Sequence, residues 1–195
     1  TASGKIAMIR WEFAGQNPGI LEKFLPAGLE GEEVINIINL PTKKNLSLGL
    51  LSSDGRFKRL AIEEILDLSG RAASIVKLKE GVKLKSALIC ESEGSVVVAS
   101  SLGRVIKVCI NNESLPIMGK LAQGPITMKM LPNEDIISAV STSKGSNQNI
   151  IFASKKGLIK KISIQSIRSC IRGSMGTMAI DIKYLNKSKD QIIDI

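Results

Sequence analysis

Apolar residues in this chain come in short runs, not long ones. "LGLL" (48–51), "VVVA" (96–99) and "IIFA" (150–153) each lead into a short polar segment holding one glycine, and then into a second apolar-rich run. That order predicts a β-hairpin, with the glycine supplying the positive φ of the turn. The three hairpins read "SSDGRFKRL", "SSLGRVIKV" and "SKKGLIKKI", and a fourth turn of the same outline, "TASGKIAMI", opens the chain. Their glycines, Gly4, Gly55, Gly103 and Gly157, each follow a Ser or Thr three positions earlier and recur about every 50 residues.

A second element recurs between the hairpins: "GEEVINIINL" (31–40), "GVKLKSALIC" (81–90), "NEDIISAV" (133–140) and "KDQIIDI" (189–195). Ahead of the last three stands an alternating, strand-like segment: "SIVKLKEG" (74–81), "ITMKMLPN" (126–133) and "MAIDIKYLN" (178–186). Each repeat thus supplies about four short strands, as a propeller-like blade does. The predicted fold is all-β: a single domain over 1–195, or a fragment of one. Its approximate repeat units are 1–47, 48–95, 96–149 and 150–195. Helix should be scarce. "IEEILDLSGR" (62–71) could form a turn or two, and "NNESLPIMGK" (111–120) reads as a connecting loop.

Composition narrows the chemistry. Aromatics make up only 3% of the chain, so the core must be built from Ile, Leu and Val. Histidine is absent, which removes a Ser-His-Asp triad, a His-ligated metal and histidine acid–base catalysis. Cys90, Cys109 and Cys170 are odd in number and widely spaced, arguing against a disulfide framework or a zinc knuckle. All three read as small buried hydrophobes. No catalytic residue and no cofactor is expected in this chain. No apolar stretch approaches the roughly 20 residues of a membrane span, and no N-terminal signal is visible. The expectation is a cytoplasmic location with no membrane partner. Lacking a start Met, the chain reads as the interior of a longer protein.

Charge adds a partner. The net charge is +9. The four hairpins together carry +10, leaving the rest of the chain at −1. Their cations are Lys5 and Arg10; Arg56, Lys58 and Arg59; Arg104 and Lys107; and Lys155, Lys156, Lys160 and Lys161. Three positions after the turn glycine stand Lys58 and Lys160, and four after it Arg59, Lys107 and Lys161. Strand side chains alternate between faces, so in each hairpin one of these should face solvent and the other a rim or edge. Radially arranged blades would then carry a discontinuous cationic belt around the particle's edge. Such a belt suits the phosphate backbone of bent duplex DNA, which Lys and Arg hold without reading sequence. One Trp, one Tyr and four Phe are too few for single-strand stacking platforms.

The recurring "S/T-x-x-G-x-[apolar]-K-[K/R]" hairpin, as in "IIFASKKGLIKKI", resembles the C-terminal domain of the A subunit of bacterial DNA gyrase and topoisomerase IV. So does the arginine-glycine segment leading to an alternating strand and a polar turn in "IRGSMGTMAIDIKYLNKSKDQIIDI", and "GKLAQGPITMKMLPNEDIISAV" (119–140) follows a similar plan. The resemblance implies a β-pinwheel whose blades exchange strands. It further implies a non-catalytic role in which duplex DNA wraps a basic outer edge to support supercoiling or strand passage. The parent would be an ATP-dependent type IIA topoisomerase assembling with an ATPase B subunit. Arg172 of the arginine-glycine segment joins the hairpin cations as a candidate DNA contact. Two departures stand out. About four units are visible where the family usually has six, so the disc would be open or partial. The gyrase box Gln-Arg-Arg-Gly-Gly-Lys-Gly is absent, "IRGSMGT" (171–177) being a faint echo, which leaves gyrase-like and topoisomerase IV-like roles both open. The competing reading is a protein-interaction β-propeller. A propeller enzyme would need convergent carboxylates, whereas Glu32, Glu33, Glu134 and Asp135 fall in expected turns.

Overall fold

In the computed structural model of the protein, the four turn glycines make one bond in common. The N–H of Gly4, Gly55, Gly103 and Gly157 donates to the carbonyl three residues earlier, each at 3.0 Å. All four have positive φ, from 76° to 86°, which explains why glycine stands at each. The structure describes residues 1–9, 19–40, 45–66, 68 and 70–195.

The elements run β1 (Lys5–Ile6), β2 (Leu46–Ser52), β3 (Phe57–Ala61), α1 (Glu63–Leu66), β4 (Ala73–Ser74), β5 (Leu84–Glu91), β6 (Ser95–Ser100) and β7 (Arg104–Cys109). There follow β8 (Ile136–Thr142), β9 (Asn149–Ser154), β10 (Ile159–Ser163), β11 (Thr177–Met178), α2 (Ile182–Ser188) and β12 (Ile192–Asp194). They build small antiparallel sheets in the orders β3-β2-β5, β11-β7-β6-β8 and β10-β9-β12, with β1 paired to β4. The expected all-β propeller-like fold is therefore present, and the expected turn of helix after the second hairpin is α1.

In each three-strand set the apolar run before the turn is the middle strand. In β2 and β6 alternate side chains enter different cores, whereas β9 turns one face to a core and leaves Ile151 exposed. Val96 and Val98 of β6 pack with Leu51, Phe57 and Ile106, while Val97 and Ala99 pack with Val105, Ile150 and Phe152. A third core holds Leu48, Leu50, Leu60, Ile75 and Leu84. The second and third blades thus carry an apolar layer on both sides, and a strand buried on both faces reads as a continuous apolar run.

Strands are exchanged between repeats. β11, from the last repeat, pairs with β7 of the one before, through Met178 and Arg104. Ile126 bridges Arg56 beside β3 in the same way, and Ser74 of β4 pairs with Lys5 of β1. The register is regular: the N–H groups of Ile75, Thr127 and Ala179, each 52 residues on, donate to the carbonyls of Gly4, Gly55 and Gly103 at 2.8–2.9 Å. Every blade with a complete outer edge borrows that edge from the following repeat, so blades do not coincide with contiguous sequence units. At the opposite edge, β8 packs against both β5 and β12. This makes β5, β8 and β12 the hub side and the donated strands the rim. β10 has no outer strand among the described residues.

One sequence expectation fails locally. The alternating pattern predicts a strand over 178–186, but after Met178 the chain turns into α2. The Asp181 carboxylate accepts from the Lys183 N–H at 2.8 Å, and Lys189 closes the helix in a left-handed conformation. Leu185 then seats in the core at 1% exposure. A local cap and one buried leucine outweigh the alternating pattern. A second difference is Cys109, exposed at the end of β7, whereas Cys90 is fully buried.

Donation requires close backbone approach at Gly176, whose φ is +71° and where a Cβ would overlap the Val105 carbonyl oxygen. Gly157 has φ +86° but open space around it. Gly176→Ala should therefore cost about 2–4 kcal/mol, strain plus clash, against about 1 kcal/mol for Gly157→Ala. Urea unfolding of both variants measures the contrast.

Candidate nucleic-acid interface

The hairpin cations divide into two groups once the exchanged strands are in place. Arg104 is 5% exposed. Its Nε donates to the Glu134 carboxylate at 2.8 Å, its Nη2 pairs with the other carboxylate oxygen and also donates to the Lys129 carbonyl at 3.0 Å, and its Nη1 donates to the Met175 carbonyl. Arg56, at the equivalent position, bonds Asp54 at 3.2 Å and the Gly124 carbonyl at 2.9 Å. Both arginines therefore hold the incoming outer strand. Lys5 pairs with Glu32 at 2.8 Å and reaches the Gly28 carbonyl at 3.2 Å.

Lys58 and Arg59 point to opposite faces of β3, as strand geometry demands, yet both are buried, at 1% and 5% exposure. The expectation that one of each such pair meets solvent does not hold in the second blade, because a neighbour covers each face. The Lys58 amine donates to the Ile75 carbonyl at 2.6 Å and the Lys120 carbonyl at 2.5 Å. Arg59 donates to Ser47 Oγ at 3.0 Å and the Leu115 carbonyl at 2.8 Å. Lys107, half-buried, donates to the Ile164 carbonyl at 2.9 Å. Arg59 and Lys107 are thus equivalent staples onto the segment that brings in the next repeat, and neither offers its charge to a rim. The expected belt of exposed cations does not include Lys58, Arg59 and Arg104, because the structure buries all three. Arg56, Lys107 and Lys5 are also engaged in intramolecular bonds.

In the fourth hairpin the same positions are open. Lys155, Lys156, Lys160 and Lys161 are exposed. Lys160 reaches the Ala179 carbonyl at 2.6 Å, the counterpart of the Lys58–Ile75 bond two repeats back. Lys161 makes no hydrogen bond or ion pair among the described residues, where β10 pairs with β9 alone. Arg172 is exposed as expected. Arg10, counted with the first hairpin, lies outside the described residues.

The rim carries further cations that hairpin counting passed over. Arg71, Lys77, Lys79, Lys129, Arg168 and Arg172 are exposed, on or beside the donated segments, and none forms an ion pair among the described residues. Lys77 and Lys129 each stand two residues past the donated anchor, and Lys79 and Lys183 four past it. Aligning the repeats on the 52-residue donor step, not on the turn glycines, is the signal that finds them. Arg172 belongs to this group by position. These exposed cations lie one strand further out than the hairpins, and the four lysines of the fourth hairpin are exposed as well.

Burial lowers the Lys58 pKa to about 8, with Glu64 opposing weakly. Below that value the amine is charged in folded and unfolded states alike, and the fold bears the full penalty. Between about 8 and the ordinary lysine value near 10.4 only the unfolded chain keeps the proton, so stability rises with pH. Relative to Lys58→Met, the parent should gain up to about 3 kcal/mol between pH 7 and 10.5, read from urea midpoints at each pH.

No group of His, Cys, Asp and Glu among the described residues is arranged to hold a metal, and no described helix is long and apolar enough to cross a membrane. Comparison with known proteins agrees with the architecture. The topoisomerase 4 A subunit of Synechocystis is 27% identical over 146 residues, covering 70% of this chain and 16% of that protein. The gyrase A subunit of Ureaplasma parvum is 24% identical over 180 residues, covering 87% of this chain and 21% of that protein. The chain thus spans about a sixth to a fifth of the length of the curated relatives it matches. Among solved structures, the C-terminal domain of DNA topoisomerase IV superposes with TM-score 0.70 at 15% identity, over 83% of this chain and 49% of that one. A DNA gyrase A C-terminal domain gives TM-score 0.59 at 14% identity, over 99% and 78%. A family model described as "DNA gyrase C-terminal domain, beta-propeller" matches residues 50–91, 94–143 and 148–195, and the chain belongs to that family.

Proposed function

We propose that this chain is the non-catalytic, duplex-binding domain of a type IIA DNA topoisomerase A subunit. It grips the phosphate backbone along the rim formed by the donated strands. The observation that carries this reading is the set of exposed cations without acidic partners on the rim, two of them in step with the donor repeat. Such side chains are free to release counterions from DNA, which buried staples are not. Backbone contacts of this kind hold bent duplex without sequence preference. The domain would thereby support supercoiling or strand passage by a parent that assembles with an ATPase B subunit in the cytoplasm.

A protein-interaction propeller would instead be expected to present aromatic and arginine anchors on a disc face. Tyr184 is exposed on α2, but as the chain's single tyrosine it makes no such cluster. A salt titration against random-sequence duplex separates the two readings. Binding should be tight at 50 mM salt and fall by about three orders of magnitude by 200 mM, if six or more phosphates are contacted. No detectable binding at 50 mM would reject the nucleic-acid reading.

A further inference from the structure

The path from rim to hub is longer in the fourth repeat than in the two before it. Ile75 and Lys83 stand eight positions apart, as do Thr127 and Asp135, whereas Ala179 and Gln191 stand twelve apart. These are matched bonds: the carbonyls of Lys83, Asp135 and Gln191 accept the equivalent N–H groups of Ser53, Ser101 and Lys155. The added length is taken up by α2. A Cβ on Gly103 would stand 3.1 Å from Ile180 and Leu185, so the helix lies over the third blade's turn. Its far end reaches the fourth turn, where the Lys156 amine donates to the Ser188 carbonyl at 2.5 Å. α2 thus leaves the rim and crosses the turn end of the sheets toward the hub.

The crossing carries charge. Lys183, Lys187 and Lys189 are exposed, as are Lys155 and Lys156 of the adjoining turn. None of the five forms an ion pair among the described residues. Two carboxylates of this region are engaged otherwise: Asp181 caps α2, and Asp190 accepts from Ser154 Oγ at 2.6 Å and the Lys156 N–H at 3.0 Å. Lys183 and Lys187 lie one turn apart on the same side of the helix and repel each other. Lys183 also sits in the first turn, where the helix dipole disfavours a cation. Neither placement stabilises the helix, and both suit a polyanion. The opposite end of the strands is acidic, with Glu91, Glu93 and Glu113 exposed and Lys144 paired to Glu93 at 2.9 Å. We propose that α2 and the fourth turn form a second duplex-DNA contact, at which the duplex leaves the rim and crosses the turn side of the disc. This contact presupposes duplex on the rim, because Lys183 continues the line of donated-strand cations that would bring it to α2. A seven-residue helix is about 10 Å long and duplex carries one charge per about 1.7 Å of axis, so α2 faces several phosphates.

The test reads each lysine separately. The chain is acylated with a water-soluble succinimidyl ester, with and without saturating random-sequence duplex at low salt, and its peptides are quantified by mass spectrometry. Lys183 and Lys187 should be protected about fivefold, together with Lys77, Lys79 and Lys129, and Lys144 should not be protected. Lys183→Gln with Lys187→Gln should weaken duplex binding about tenfold at 100 mM salt and lower the slope of log affinity against log salt by about 2, with the urea midpoint unchanged. Protection of Lys77, Lys79 and Lys129 without Lys183 and Lys187 would overturn the proposal and leave the rim contact standing. Protection of no lysine would overturn both. Equal protection of α2 by polyglutamate at matched charge and salt would also overturn it, assigning the patch to an acidic protein partner.

Discussion

Charge reversal of Lys77, Lys79 and Lys129 together is expected to weaken binding to random-sequence duplex DNA roughly a hundredfold at 100 mM salt. It should also reduce the slope of log affinity against log salt by about 2 to 3. These three side chains are exposed, lie beside the donated rim strands and engage no carboxylate among the described residues. Their whole charge is available to phosphates. The control is a pair of cations that the sequence counts into the belt. Arg59→Ala and Lys107→Ala remove cations that hydrogen-bond the Leu115 and Ile164 carbonyls. They should lower the unfolding midpoint while leaving the affinity of folded protein within about twofold, because no phosphate contact is lost. Filter binding or fluorescence anisotropy across a salt series reads both. A large affinity loss in the control with none in the rim variant would return the interface to the hairpins.

Glu134→Ala should cost about 3–5 kcal/mol of stability, the largest loss expected from any single substitution in the third blade. The carboxylate side chain is fully buried, and Arg104 beside it is nearly so. It accepts from Arg104, from Ser100 Oγ at 2.5 Å and from the Leu131 N–H at 2.8 Å. Removing it leaves a guanidinium buried without its counter-charge at the point where the outer strand is received. Replacing both partners with apolar residues, Arg104→Met with Glu134→Leu, should recover most of the loss, since no unpaired charge remains. Burial pushes the Glu134 pKa up, but the bonds from Arg104, Ser100 and Leu131 outweigh it and hold the group below its ordinary value. Its contribution is therefore present above about pH 4.3 and is lost as pH falls through the lower folded value. Guanidinium or urea denaturation at pH 7 and near pH 3 measures both effects. A double variant no more stable than Glu134→Ala would show that the pair does more than neutralise itself.

Much of the architecture is legible in the residues. The apolar runs at 48–51 and 96–99 become middle strands covered on both faces, where successive positions can all be apolar, whereas the run at 150–153 becomes a middle strand with Ile151 left 54% exposed. The turn glycines are required by their positive φ. The family resemblance rests on the same hairpins. Less legible was α2, where the Asp181 cap and buried Leu185 decide against an alternating pattern that looked extended. Cys109 departs from its apolar context for a related reason: its neighbours Val108 and Ile110 face the core, and the alternating side chain between them does not.

The candidate interface divides along the same line. The sequence by itself determined the repeat, the all-β class, the absence of histidine chemistry and the concentration of positive charge near the turns. Which charges remain available was decided only by tertiary structure. Lys58 and Lys160 occupy the same place in their hairpins, yet one is buried and the other exposed. The physical reason is strand exchange. A blade's outer edge arrives from the next repeat, some 70 residues downstream of the turn it covers. Whether a lysine staples a neighbour or faces solvent therefore depends on a partner that no local pattern encodes.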